Sequence, residues 1–184
     1  MNYIIFDLEA TCWDRNTGEN PGAINETIEI GAVLINDQAE IISEFVEFIQ
    51  PRLNPVLSDF CKTLTTITQD DVDEADAFPA VSARFIEWIS QGDQPYVLCS
   101  WGFYDKKQLK KDCALHGLDD AWASPHISVK HQYADIKQLR RPVGMAKALS
   151  MESLALEGTH HRGIDDARNI AKVFLANWGK WVFS

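Results

Sequence analysis

Apolar residues recur along this chain with a short period at first and a longer one later. Tyr3–Leu8 is a run of β-forming residues and predicts a strand. Asp14–Gly22 holds polar residues, Gly and Pro, and predicts a loop. Glu26–Asn36 and Glu40–Ile49 are β-rich runs separated by a turn at Asp37–Ala39, which predicts a hairpin. From there the spacing turns helical. Pro55–Leu64 predicts a short helix, and Thr68 is placed to cap another beginning QDDV. Across Pro79–Ser90, Val81, Phe85, Trp88 and Ile89 form one apolar stripe at helical spacing. Tyr96–Ser100 reads as a buried strand, and Tyr104–His116 as a helix closed by Gly117. Lys130–Leu139 and Met145–Ser153 predict two further helices. A last one runs from about Asp165 to Trp178, with Ala167, Ile170, Ala171, Phe174, Leu175 and Trp178 on one face. The order βββ–α–β–α–α predicts a mixed sheet covered by helices, an α/β class.

Composition narrows this picture only a little. The 184 residues, 46% hydrophobic and 24% charged, suit one globular domain spanning 1–184. A net charge of −10 excludes a protein that coats nucleic acid by charge alone, but not a nuclease whose acids sit under cations. Cys12, Cys61, Cys99 and Cys113 form no CxxC pair, so no zinc site is expected. The opening MNYIIFDLEATC lacks a basic segment followed by a long apolar one, and no apolar run reaches membrane-spanning length. The expectation is a reduced, soluble, cytoplasmic protein with no membrane partner.

Candidate chemistry lies in three separated segments. Asp7 and Glu9 are two apart on a strand and so share one face. Like charges there repel unless a cation lies between them. Asp105 falls at the start of a helix that follows the Tyr96–Ser100 strand, where the helix dipole alone would favour an acid. Asp166 lies in the first turn of the last helix. On a continuous helix His161 would sit roughly 140° away from it, so the histidine is expected on the preceding loop, where Gly163 lets the chain fold back. His160–Asp165 has the same spacing as His161–Asp166, and spacing does not choose between them. Four carboxylates suit hard divalent cations, and two such ions with a histidine form a site for phosphodiester hydrolysis. Glu29, in IEIGAV, is placed where it could approach the site, but reads rather as an acid on a strand edge. Lys106, Lys107, Lys110 and Lys111 read as a solvated helix face able to meet phosphates, the six tryptophans as mostly core, and Trp13 as a residue bordering the site.

DLEAT, the middle aspartate and H-x4-D together resemble the DEDDh superfamily of 3′–5′ exonucleases. The stretch FIQPRLNPVLSDFCKTLTTITQDDVDEADAFPAVSARFIEWI resembles its Eri-type exoribonuclease branch, and IEIGAV, GMAKALSMESL and HRGIDDARNIAKVF extend the likeness over almost the whole chain. The resemblance implies a ribonuclease H-like fold and selects His161 as general base, with Asp166 completing a ligand set of Asp7, Glu9 and Asp105 for two divalent cations, Mg²⁺ or Mn²⁺. It implies backbone near Ala10 and Thr11 gripping a terminal 3′-OH, Tyr104 stacking on the terminal base, and release of nucleoside 5′-monophosphates. It favours RNA over DNA. A DNA exonuclease of proofreading type and a non-catalytic nucleic-acid-binding adaptor are the alternatives. The chain departs from the family pattern at Thr66, where glycine is usual, at Trp101, where an acid is common, and at Tyr104, where the stacking ring is commonly a tryptophan. The extension that carries nucleic-acid binding in some animal members is not expected, because Asp7 lies so near the start.

Overall fold

The computed structural model describes residues 1–14, 16–18 and 22–183. Part of the expected Asp14–Gly22 loop therefore lies outside the described residues. Five strands, β1 (Asn2–Ala10), β2 (Thr27–Ile35), β3 (Ile41–Phe48), β4 (Tyr96–Ser100) and β5 (His126–Ser128), form one sheet in the order β3-β2-β1-β4-β5. The β1–β2 and β2–β3 pairs are antiparallel, and the β1–β4 and β4–β5 pairs are parallel. The helices are α1 (Asp59–Thr65), α2 (Gln69–Asp73), α3 (Phe78–Ile89), α4 (Tyr104–His116), α5 (Val129–Ile136), α6 (Met145–Met151) and α7 (Gly163–Ala176). No helix among the described residues is long and apolar enough to cross a membrane.

Side-chain alternation divides the sheet into two packed layers. Ile4, Phe6 and Leu8 of β1 point with Ile30, Ala32 and Leu34 toward α3 and α4, against Val81, Phe85, Ile89, Leu109 and Cys113. Ile5, Val33 and Ile35 point the other way, against Tyr133, Leu149, Ile170 and Phe174 of α5, α6 and α7. Asp7 and Glu9 continue the row of Tyr3 and Ile5, so they face α7. The same parity puts Glu29 and Gly31 of β2 on that face, paired with Glu9 and Asp7 respectively.

Several boundaries moved for local reasons. The helix expected at Pro55 begins at Asp59, because the Ser58 side chain caps it by accepting from the Cys61 N–H. Thr68 caps α2 as expected, with Asp71 reciprocating from the third helical position. The helix expected to reach Leu139 stops at Ile136, where Gln138 turns left-handed at φ 54° and Leu139 N–H returns to the Ala134 carbonyl. The β5 strand was not expected. Its three residues are too few to display alternation, and only the parallel neighbour β4 defines it. Of the six tryptophans, only Trp181 is fully inside, and the rest are half-buried.

Candidate active site

Two like-charged strand residues have a place in this fold because their neighbours on β2 do different things. Glu29, opposite Glu9, is completely buried and is not an edge acid, since β2 lies inside the sheet. Its carboxylate takes two hydrogen bonds from Arg162, both at 3.1 Å, and one from the Gly163 N–H at 2.9 Å. It is thereby paired with Arg162 and anchors the start of α7. Gly31, opposite Asp7, has no side chain in the way of that helix. A Cβ on Gly31 would lie 2.0 Å from the Ile164 nitrogen and 2.1 Å from the Gly163 carbonyl carbon. Close approach, rather than a left-handed turn, is therefore what the glycines provide. Gly163 is the first helical residue, and the left-handed turn just before it falls at His161, at φ 65°.

That docking carries Asp166, in the first turn of α7, beside Asp7 and Glu9. One carboxylate oxygen from each of the three lies within 4.8 Å of the others. Asp105 arrives from the other side, in the first turn of α4, because β4 runs parallel to β1 and turns at Gly102. All four acids line one cleft of ≈ 360 Å³ with His160, His161, Ala10 and Tyr104. Asp165 is committed elsewhere, to the Thr159 N–H at 2.8 Å and to Arg168 at 3.2 Å.

Crowding shows in the acids' proton affinities. Burial, then the fields of Asp105, Glu9 and Asp166, holds the Asp7 carboxyl well above the usual range. Burial, followed by Asp166 and Glu29, pushes Glu9 up to about 8. Burial raises Asp105 to about 6, against the lowering effect of hydrogen bonds from the Ser100 side chain and from the backbone of Asp105 and Leu8. An all-oxygen donor set whose members repel one another suits a hard divalent cation.

Both histidines reach the cleft, by different means. The His160 ring contacts the Asp166 carboxylate through Nδ1 at 3.0 Å, while His161 contributes its backbone N–H at 3.2 Å. The two rings stack at 4.0 Å. Burial and the neighbouring His160 lower the His161 pKa, against the pull of Asp166. Reasoning from spacing had no means of finding the His160 contact, since it depends on the loop turning left-handed at His161.

The remaining candidates fall unevenly. Tyr104 stands half exposed at the rim, and Ala10 lines the cleft. Thr11 does not line it. Its N–H is taken by the Glu26 carbonyl at 2.8 Å and its hydroxyl by the Glu26 N–H at 3.0 Å. Trp13 does not line the cleft either, whereas Trp101, Cys12, Leu64 and Met145 do. Lys107 and Lys111 are exposed, and Lys110 pairs with Asp120 at 3.1 Å.

A five-stranded mixed sheet carrying carboxylates at the meeting of β1, α4 and α7 defines a ribonuclease H-like nuclease fold. The chain belongs to the exonuclease family (RNase_T), whose family model matches residues 4–174. Within it, the chain is 35% identical over 177 residues to 3′-5′ exoribonuclease 1 of Mus musculus, covering 92% of this chain and 50% of that protein. It is 31% identical over 200 residues to ERI1 exoribonuclease 2 of Xenopus laevis, covering 92% of this chain and 27% of the relative. The chain thus spans about half or less of the length of these curated relatives. The solved nuclease domain of 3′hExo, a DEDDh family member bound to rAMP, superposes with a TM-score of 0.89 at 33% identity, over 96% of this chain and 90% of that one.

Proposed function

We propose that residues 1–184 form a single metal-dependent 3′–5′ exonuclease domain that acts on RNA with a free 3′-OH and releases nucleoside 5′-monophosphates. The observation that carries this reading is the convergence of Asp7, Glu9, Asp105 and Asp166, from three distant segments, on one cleft beside two histidines. A purely binding module has no need of four crowded acids, three of them buried and Asp7 half-buried. The choice of RNA is supported by the names of the similar relatives, which are exoribonucleases, and by the ribonucleotide in the solved nuclease domain. A cytoplasmic setting accords with cysteines that form no pairing pattern.

Asp7, Glu9, Asp105 and Asp166 would hold two divalent cations, Mg²⁺ or Mn²⁺. When bound, such a pair supplies a water nucleophile at neutral pH and offsets the charge that develops on the phosphate. His161 accepts the proton of the attacking water. Its lowered pKa keeps the ring neutral and able to accept, and among the described residues the ring has no hydrogen-bond partner to displace. His160, already on Asp166, orients that carboxylate. Backbone at Ala10, which faces the cleft, grips the 3′-OH, whereas Thr11, buried and bonded to Glu26, supports the strand end from behind. The Tyr104 ring stacks on the terminal base, its exposure at the rim leaving a face open for it.

The test uses matched 5′-labelled RNA and DNA oligonucleotides, single- and double-stranded, with Mg²⁺, Mn²⁺ or chelator. Single-stranded RNA should shorten one nucleotide at a time, only with metal, and a 3′-phosphate should slow it sharply. A circular RNA should survive. Rapid cutting of the circle would make the chain an endonuclease, and a strong preference for DNA would keep the chemistry and reverse the substrate.

A further inference from the structure

The cleft has an aromatic neighbour outside its walls. Phe103 stands just before the first residue of α4. Tyr104, the next residue, lines the cleft, and Phe103 does not. The Phe103 ring instead stacks on His131 of α5, with centres 4.9 Å and planes 29° apart, and lies 6.0 Å from the ring of His126. His131 is fixed in turn, its Nδ1 2.6 Å from Oγ of the buried Ser128. Both members of the stacked pair are exposed all the same, Phe103 at 47%. Rings already held in place lose little conformational freedom when a flat ligand settles on them.

Charge marks the same flank. Lys106 and Lys107 follow Phe103 at three and four residues, and the Lys107 N–H bonds the Phe103 carbonyl at 3.3 Å, so both side chains start from the Phe103 side of α4. Among the described residues neither lysine has an acidic partner. Cations elsewhere near the site are committed: Arg162 to Glu29, Arg168 to Glu44 and Asp165, and Lys62 of α1 to Asp59. In a chain of net charge −10, this flank offers a phosphate backbone positive charge that no carboxylate has taken. Exposed rings beside uncommitted lysines are what a single strand of nucleic acid uses: bases stack on the rings, and phosphates meet the cations.

We propose that the Phe103–His131 pair is a stacking platform for a base upstream of the scissile phosphate, with Lys106 and Lys107 on the adjoining phosphates. The proposal rests on the exonuclease reading above, which puts the terminal nucleotide in the cleft at Tyr104. Phe103 is one residue from Tyr104, about 3.8 Å between Cα atoms, so the platform stands where a strand leaving the cleft can reach it. A released nucleoside monophosphate cannot span both places. The platform therefore favours the shortened strand over the product at every step.

Binding measurements on the full chain with Mn²⁺ test it. The probes are a 5′-fluorescein oligoadenylate whose last linkage is a non-hydrolysable phosphonate, read by anisotropy, and adenosine 5′-monophosphate, read by calorimetry. Phe103→Ala should weaken the oligoadenylate roughly 5- to 150-fold, the loss of one base–aromatic stack, and leave the monophosphate unchanged. Phe103→Trp should bind like the unmodified chain, whereas Tyr104→Ala should weaken both probes. In a series of oligoadenylates each lacking one base, the Phe103→Ala penalty should vanish at one upstream position and persist when the terminal base is missing. Lys107→Gln should reduce the slope of log affinity against log salt by about 0.7, one phosphate contact. Should Phe103→Ala fail to fold, His131→Ala gives the same comparison. Unchanged oligoadenylate affinity, an equal loss for the monophosphate, or a penalty indifferent to which base is missing overturns the proposal, as does a chain that binds no oligoadenylate. If the chain binds it in the Phe103-dependent way but leaves ordinary RNA intact, the platform stands and the exonuclease reading fails.

Discussion

Replacing Gly31 with alanine should disturb the site from a distance. The added Cβ would meet the Ile164 nitrogen at 2.0 Å, the Gly163 carbonyl carbon at 2.1 Å and its oxygen at 2.5 Å. Ordinary contact lies near 3.5–4.0 Å, so the start of α7 must retreat by on the order of 1.5 Å. All three atoms are backbone, and no rotamer change relieves them. Overpacking costs typically 1–3 kcal/mol, and a backbone-on-backbone clash belongs at the upper end, about 3 kcal/mol. For a chain of this size that corresponds to a fall in melting temperature of roughly 6–12 °C. The retreat also stretches the 2.9 Å bond from Gly163 to Glu29 and moves Asp166, so Mn²⁺ affinity should fall together with stability. Gly144→Ala is the control, since nothing lies within 4 Å of its added Cβ, and it should change stability by about 1 kcal/mol or less. The two quantities are read by scanning calorimetry and by Mn²⁺ titration. A Gly31→Ala protein that melts within about 2 °C of the unmodified chain and binds Mn²⁺ equally well would refute the close approach of β2 and α7.

Other expectations follow from the same geometry. Glu9 is raised from 4.5 to about 8, so the folded metal-free protein holds a proton that the unfolded chain releases. This contribution to stability is fully present below about pH 4.5 and is lost as pH rises through about 8. Mg²⁺ affinity runs the opposite way, because ligation needs the carboxylate. Melting curves in chelator at pH 5.5 and 8.5 check the sign, and a higher melting point at pH 8.5 contradicts it. His161→Ala should lower kcat on the order of 10²-fold or more, the scale of a lost general base, and His160→Ala should lower it by less. Steady-state kinetics that reversed the two would move the base to His160. Tyr104→Ala should weaken binding of the terminal nucleotide by roughly 1–3 kcal/mol, with Tyr104→Trp restoring it, as read in KM. Thr66 caps α1 in the left-handed region at φ 61°, so Thr66→Gly should raise stability by roughly 1 kcal/mol in denaturant titration.

The readable part of this protein was whatever depends on local period. Strand alternation put Asp7 and Glu9 on one face, and helix phase put Asp105 and Asp166 in first turns, as the structure has them. The resemblance added that these segments meet. What stayed hidden depends on distant partners. Glu29 looks like any strand acid until Arg162, far along the chain, is laid across it. Gly31 and Gly163 look like two unrelated glycines until β2 and α7 touch. His126 sits in a strand too short to announce itself, and its contact with Ser100 comes from the neighbouring strand.

The wide spacing of the four acids along the chain has a further consequence. A chain that has paired β1 with β2 but not yet docked α7 presents Asp7 and Glu9 as two adjacent negative charges with nothing to hold. Such long-range closures come late in folding, after loop entropy has been overcome. A cation that binds only the complete set therefore lends its binding free energy to the finished structure and withholds it from every near-native competitor. In this role the metal is a proofreader of the protein's own assembly: it rewards the one arrangement in which β1, α4 and α7 have all arrived.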